Sequence, residues 1–266
     1  MVKDFNDPIL QLSEHLNPYR RAASLAGRRL LWDLTPESWR SRKKVRWWRD
    51  KFVGKKAVIL CNGPSLLKVN FALLQNTFTF GLNKVNLLFD KTVFRPSCVV
   101  AVNPFVIEQN VRFYNDTNLP LFLDAGSAGL VRCRSNVMFL HSTAEGFARD
   151  CSWSVCQGYT VTYVALQLAF HMGFHEVALV GCDHNFAVSG PANKTVVSEG
   201  RDESHFDPNY FAHGVKWQLP DLFESEVSYQ RAKRTFEAFG RKIVNCTVGG
   251  KLEIFPRIGL EEYLGQ

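Results

Sequence analysis

The sequence predicts an α/β chain of the Rossmann-like kind, a mostly parallel sheet flanked by helices, with a lid segment and an N-terminal helical extension. Three observations carry that expectation. Short, wholly apolar runs such as Ala57-Val-Ile-Leu60, Val99-Val-Ala-Val102 and Val177-Ala-Leu-Val180 suit strands buried on both faces. Three such strands end in an asparagine, at Asn62, Asn83 and Asn103. The first runs straight into Asn62-Gly63-Pro64-Ser65, a glycine turn with a proline placed for the first helical position.

Composition bounds the rest. With 266 residues, 46% of them hydrophobic and 13% aromatic, the chain can bury a sizeable core, and disorder is not expected for most of it. No apolar run approaches the ~18 residues of a membrane span, and no signal-peptide core opens the chain, so a cytoplasmic location is expected. Seven cysteines at irregular spacings, without a CxxC pair, suggest reduced, buried thiols and no zinc site or disulfide framework. The net charge of +7 is uneven: residues 1–56 hold 14 Lys/Arg against 6 Asp/Glu, which leaves 18 against 19 for the remainder. A nucleic-acid partner is therefore not expected, since the folded module itself is close to neutral.

Taken in order, residues 1–54 read as a basic helical extension and 55–266 as the Rossmann-like domain, which the resemblance given below makes a nucleotide-binding transferase. Helical signals run from Pro18 to Trp39 and again from Pro36 to Phe52, with tryptophans among the arginines. Such a helix suits the surface of an anionic membrane, or packs its tryptophans on its own domain; the second is preferred. Strands are expected at 57–61, 77–83, 96–103, 120–124 and 137–140. Ala125–Gly129 is expected to be a flexible loop. Thr160 to Met172 is a strongly apolar helix closed by Gly173, followed by a strand at 176–183 that delivers Asp183 and His184 to its carboxyl end. Residues 186–223 lack a clear period but are rich in aromatics, which suggests a lid over a ligand. Within it His205 and His213 are candidate general bases, and Asp207 is placed to orient His205. A helix over 225–239, a last strand from Lys242 and a closing segment complete the domain.

Strand, glycine turn and helix aim free backbone N–H groups at an anion, so Asn62, Gly63, Pro64 and Ser65 are candidate phosphate or nucleotide ligands. Many α/β turns of this form bind nothing. Asparagine is an ordinary turn residue too, but three at matching strand ends, where open sheets bind ligands, favour a ligand role. Asp183 is a candidate acid at a strand end; its plain alternative is a turn cap.

The string Asn62-Gly-Pro-Ser-Leu66, Gly173-Phe-His-Glu-Val-Ala-Leu-Val-Gly-Cys-Asp183 and Asn245-x-Thr247-x-Gly249-Gly250 resembles the MptE-like superfamily, which contains the 6-hydroxymethylpterin diphosphokinases. It is also similar to the family 42 bacterial sialyltransferases and the flagellin-modifying transferases. The resemblance spans roughly Lys55 to Leu264. It implies a nucleotide held by Asn62, Gly63, Ser65, Asn83 and Asn103, with Thr160 and Thr162 touching it, and a lid Tyr-x-x-His that supplies the base. Tyr210-Phe-Ala-His213 fits that spacing, and Ser204-His205-Phe206 resembles neighbouring lid residues. The chain departs from the pattern in having Thr160-Val-Thr162 where those enzymes have Thr-Ser-Gly. The implied activity is glycosyl transfer from a nucleotide-sugar donor, a CMP-linked nonulosonic acid, to a glycan or glycoconjugate, with no required metal. The alternatives are a Mg²⁺-dependent diphosphokinase, with Asp183 and Asp207 or Asp202 as ligands, and a non-catalytic nucleotide-binding protein. An oligomer is compatible with all three.

Overall fold

The computed structural model describes residues 18–143, 146–186, 190–198, 200–212 and 214–265. Helices α1 (Pro18–Asp33) and α2 (Pro36–Trp48) lead into β1 (Lys56–Leu60), β2 (Phe78–Leu82) and β3 (Cys98–Ala101). Two short helices, α3 (Pro104–Gln109) and α4 (Val111–Asp116), precede β4 (Leu121–Asp124) and β5 (Val137–Leu140). A two-residue pair, β6 (Ser142–Thr143) and β7 (Val155–Cys156), leads to α5 (Val161–His171) and β8 (Glu176–Val180). An antiparallel ribbon, β9 (Thr195–Val197) and β10 (Lys216–Gln218), lies within the lid; α6 (Leu222–Ala238), β11 (Lys242–Asn245) and α7 (Leu260–Leu264) close the chain.

Seven strands form one wholly parallel sheet in the order β11-β8-β1-β2-β3-β4-β5. The apolar runs are explained by this position. Successive side chains of β1 point to opposite faces, Ala57 and Ile59 into the layer beneath α5, Val58 and Leu60 into the layer with Leu66, Tyr210 and Tyr263. Every residue of α5 from Thr162 to His171 is buried, so its apolar character all round is what its place requires. Each large aliphatic or aromatic side chain buried there stabilises the fold by roughly 1.5–3 kcal/mol.

The strand order reverses between β1 and β8. The chain builds outward from β1 to β5, then returns through α5 to the other side of β1, which opens a crevice at the carboxyl ends of β1 and β8.

Residues 36–52 are built into this body. Val45 is buried, and the Trp48 ring meets Phe52, Phe78 and Phe122, while Phe52 stacks on Phe174 at 4.8 Å. Ser41 Oγ accepts the Phe139 N–H at 3.0 Å, and Lys44 Nζ donates to the carbonyls of Arg134 and Val137 at 2.7 and 2.8 Å, so α2 lies along edge strand β5. Trp48 thus packs on the domain, whereas Trp39 and Trp47 remain 68% and 63% exposed. No described helix is long and apolar enough to cross a membrane.

Two local expectations change. Ala125–Gly129 is a 3-10 helix, because Asp124 Oδ1 accepts the Gly126 N–H at 2.8 Å and its carbonyl accepts the Ser127 hydroxyl at 2.6 Å. The segment after the first turn is a five-residue 3-10 helix, Pro64–Lys68, too short to develop a macrodipole of any size.

Candidate functional site

At the crevice, the ends of β1 and β8 continue to pair: Cys61 N–H donates to the Val180 carbonyl at 2.8 Å and Gly63 N–H to the Gly181 carbonyl at 2.9 Å. Position 63 requires glycine because a Cβ there would lie 2.0 Å from Asp183 Oδ2 and 2.7 Å from the Gly181 oxygen. Ser65 donates twice to that same Asp183 oxygen, through its N–H at 3.1 Å and its hydroxyl at 2.7 Å. The anion at the Gly63–Ser65 turn is therefore the protein's own carboxylate. This corrects the expectation of free N–H groups there: a phosphate on Ser65 would have to displace or face Asp183. Pro64 sits exposed at the first helical position.

The Asn245-x-Thr247-x-Gly249-Gly250 motif braces this arrangement. Asn245 Oδ1 accepts the Thr247 N–H, Thr247 Oγ1 accepts the Cys182 N–H at 3.0 Å, and the Asp183 carbonyl accepts the Lys251 N–H at 2.8 Å. Gly250, at φ 77°, lies against the Asp183 backbone, with room for no side chain. His184, at φ 52°, bonds through Nε2 to Glu226 Oε1 at 3.0 Å.

The three strand-end asparagines divide. Asn62 carries a buried side-chain oxygen with no hydrogen-bond partner among the described residues, while the Asn83 side-chain oxygen and the Tyr210 hydroxyl, both buried, face each other without closing to hydrogen-bond distance. Buried polar atoms are normally paired, so these atoms are the polar groups at the strand ends that the fold itself leaves unaccounted for. Asn103 instead caps α3, accepting from the Phe105 and Val106 amides at 3.0 and 3.4 Å, and its amide nitrogen reaches Gln218. Thr160 caps α5, and Thr162 is buried with its hydroxyl 3.6 Å from Cys61 Sγ, directly before Asn62.

The lid closes over these strand ends. Phe206 N–H donates to the Asn62 carbonyl at 2.9 Å. His205 Nδ1 meets Asp202 Oδ2 at 2.7 Å, and its ring stacks on Tyr210 with centroids 4.1 Å apart and planes within 3°. With Asp202 ionised, Nδ1 carries the proton and Nε2 is the basic nitrogen; Nε2 has no hydrogen-bond partner among the described residues. Burial pushes the Asp202 carboxyl up, but hydrogen bonds from His205 and from the Ser204 and Phe211 amides hold it below the usual carboxylate range. The orienting acid is therefore Asp202; Asp207, expected in that role, pairs with Lys91 at 2.7 Å. His213 lies outside the described residues.

Lys84 was not anticipated. It follows Asn83 at the end of β2, is buried, and donates to the Tyr210 carbonyl at 2.5 Å and to Gln109 Oε1 at 2.7 Å. Burial lowers it to about 8, with Asp202 acting in the opposite sense. The available signal was a lone cation between apolar Leu82 and Val85 at a strand's carboxyl end.

Asp183, Asp202 and Asp207, the carboxylates that a metal would need, face Ser65, His205 and Lys91 respectively. Among the described residues no group of three ligating side chains forms. A groove of about 660 Å³ lies elsewhere, between α6 and the Phe147–Arg149 segment.

Fold and site together define a Rossmann-like α/β protein with a lidded polar site at the carboxyl end of its sheet. No protein-family model matches the sequence, and no curated protein matches it. Among solved structures, the chain is similar in fold to a MAf glycosyltransferase from Magnetospirillum magneticum AMB-1, with a TM-score of 0.50 at 16% identity. That likeness covers 84% of this chain and 38% of the other, so this chain spans well under half of its neighbour's length.

Proposed function

We propose that the chain is a glycosyltransferase that uses a nucleotide-activated donor of the CMP-nonulosonate type. Two things support this reading: the fold shared with a glycosyltransferase, and the sequence resemblance to sialyltransferases. The observation that carries it is the docking of the lid. One backbone hydrogen bond, Phe206 to Asn62, sets a His–Asp dyad beside two asparagines whose buried side-chain oxygens the fold leaves without a hydrogen bond.

In this reading Asn62 and Asn83 hold the nucleotide, next to the amino end of α5 with Thr160 and Thr162. His205 Nε2 takes the proton from the acceptor hydroxyl as its oxygen bonds to the anomeric carbon. The bond from that carbon to the donor's phosphate oxygen breaks, and the nucleotide monophosphate leaves with the electron pair. Asp202 fixes the tautomer and stabilises the imidazolium that forms. Phe206, Tyr210 and Phe211 are buried, so the lid opens to admit the donor and recloses to exclude water. The acceptor is a glycan or glycoconjugate hydroxyl.

Calorimetric titration with CMP, UDP, GDP and ATP, each with and without Mg²⁺, tests the donor class. CMP should bind without metal, and Asn62→Ala should weaken it without loss of fold. His205→Ala should still bind nucleotide while release of CMP from the donor slows by roughly 10²–10⁴-fold, the usual effect of losing a general base. If ATP is preferred and Mg²⁺ strictly required, the glycosyl-transfer reading fails in favour of a diphosphokinase. If His205→Ala is fully active and His213→Ala is not, the base is the other lid histidine.

A further inference from the structure

Away from the lid, at the carboxyl end of edge strand β5, basic groups converge in excess of their counter-charge. α1 contributes Arg28 and Arg29, α2 contributes Arg42, and all three guanidinium groups act on His141, the first residue after β5. Arg29 Nη1 lies 3.4 Å from His141 Nδ1 and donates to the Trp153 carbonyl at 2.8 Å. Arg42 lies over the Trp153 ring, 4.9 Å from its centroid. The carboxylate of Asp33 is shared between Arg29, at 2.9 Å, and Arg42. Burial first, and then the arginine charges, bring His141 down to about 4 against the pull of Asp33, so its ring is neutral at pH 7.

Two guanidinium nitrogens of the cluster, Arg28 Nη2 and Arg42 Nε, are buried and have no acceptor among the described residues. A donor left unpaired in the interior is unfavourable, and more so when it carries charge. Three guanidinium groups, two of them with an open donor, one carboxylate between them and an aromatic wall form an arrangement that matches an oxyanion in both charge and geometry. We propose that Arg28, Arg29 and Arg42, walled by Trp153, bind a small oxyanion: the phosphate or carboxylate group of a ligand. The site lies at the same end of the sheet as the lidded crevice, with β2, β3 and β4 between β1 and β5. If the transferase reading holds, the ligand is an acceptor bearing its own negative charge. The anion site itself does not depend on that reading.

The test is an NMR titration of the full chain with inorganic phosphate at constant ionic strength, following the His141 ring, assigned by His141→Asn. Acetate in a parallel titration distinguishes a carboxylate from a phosphate ligand by the tighter of the two. Saturable binding is expected, with His141 titrating about one pH unit or more higher when phosphate is bound, because an opposite charge favours the imidazolium. Arg28→Gln should weaken phosphate about tenfold, the loss of one charge-assisted hydrogen bond. Its unfolding midpoint in phosphate-free buffer should be unchanged or higher, because Arg28 Nη2 has no partner to lose and its charge is unfavourable there. CMP affinity should be unaffected, which separates failure of this site from failure of the donor site. A linear, non-saturating response to both anions, or equal phosphate affinity in Arg28→Gln, would overturn the proposal.

Discussion

Lys84 titrates where few lysines do, and this has a consequence for stability that can be measured. Its ammonium is buried against the Tyr210 carbonyl and Gln109, and burial brings it from the ordinary 10.5 to about 8. Between those two values the unfolded chain holds a proton that the folded chain has released. Stability therefore rises as pH climbs from about 8 to about 10.5, and below 8 the full penalty of the buried charge is present. At 1.36 kcal/mol per pH unit, the ceiling is about 3 kcal/mol; partial solvent access reduces it to about 1–2 kcal/mol. Lys84→Met removes the titrating group and keeps a long apolar stem. It also strands two acceptors, so absolute stability at pH 7 is a poor readout. The difference in unfolding free energy, wild type minus variant, should instead grow by about 1–2 kcal/mol between pH 7 and 10 in urea titrations, because other groups cancel. Parallel curves for the two proteins would refute a buried, depressed lysine beneath the lid.

Gly63→Ala forces a Cβ into the Asp183 carboxylate, so a loss of about 1–3 kcal/mol is expected, the usual effect of overpacking; an unchanged melting temperature would show that the turn yields freely. Removing residues 1–52 takes Val45, Trp48 and Phe52 out of the core, and the remainder should lose its cooperative melt in calorimetry. A sharp transition in the truncated chain would show that α2 is dispensable after all. Asp202, held low by His205, contributes stability that is present above the unfolded carboxylate's pKa near 3.9 and is lost as pH falls through the lower folded value. Asp202→Asn should therefore show a flatter decline in stability than wild type below about pH 4, and equal declines in acid denaturation would contradict the pairing.

The strands were legible because a parallel strand covered on both faces must be apolar along its length, as Val58 to Leu60 and Val177 to Val180 are. The lid was legible from its density of aromatic residues between glycines and prolines. What stayed hidden depends on contacts between residues distant in sequence. Asp183 reaches Ser65 across 118 positions, and nothing near Ser65 announces that its amide is already engaged. Asp202 and Asp207 flank His205 at similar spacing, and only the turn that brings the Phe211 amide back to Asp202 selects between them. Lys84 reads locally as an ordinary turn cation until Tyr210 folds over it. In α2 the neighbouring Trp47 and Trp48 have opposite fates, because a helix turns about 100° between them and only one side meets the sheet.

The contact of α2 with β5 also governs how the sheet ends. An outermost strand offers unpaired N–H and C=O groups to any other strand it meets, which is a route to aggregation. Ser41 and Lys44 occupy those of Phe139 and Val137, while the far edge is shielded by Pro256 and Ile258 bonding to Asn245. The guard at Ser41 leaves the ribosome 98 residues before the amide it will cover. At about 5–20 residues per second it waits several seconds, and β1 with the Trp48 and Phe52 rings is made in that interval. A nascent chain that docks α2 early therefore has its edge protection in place when β5 arrives. Substitutions at Ser41 or Lys44 should act on soluble yield during synthesis more than on the stability of the finished protein.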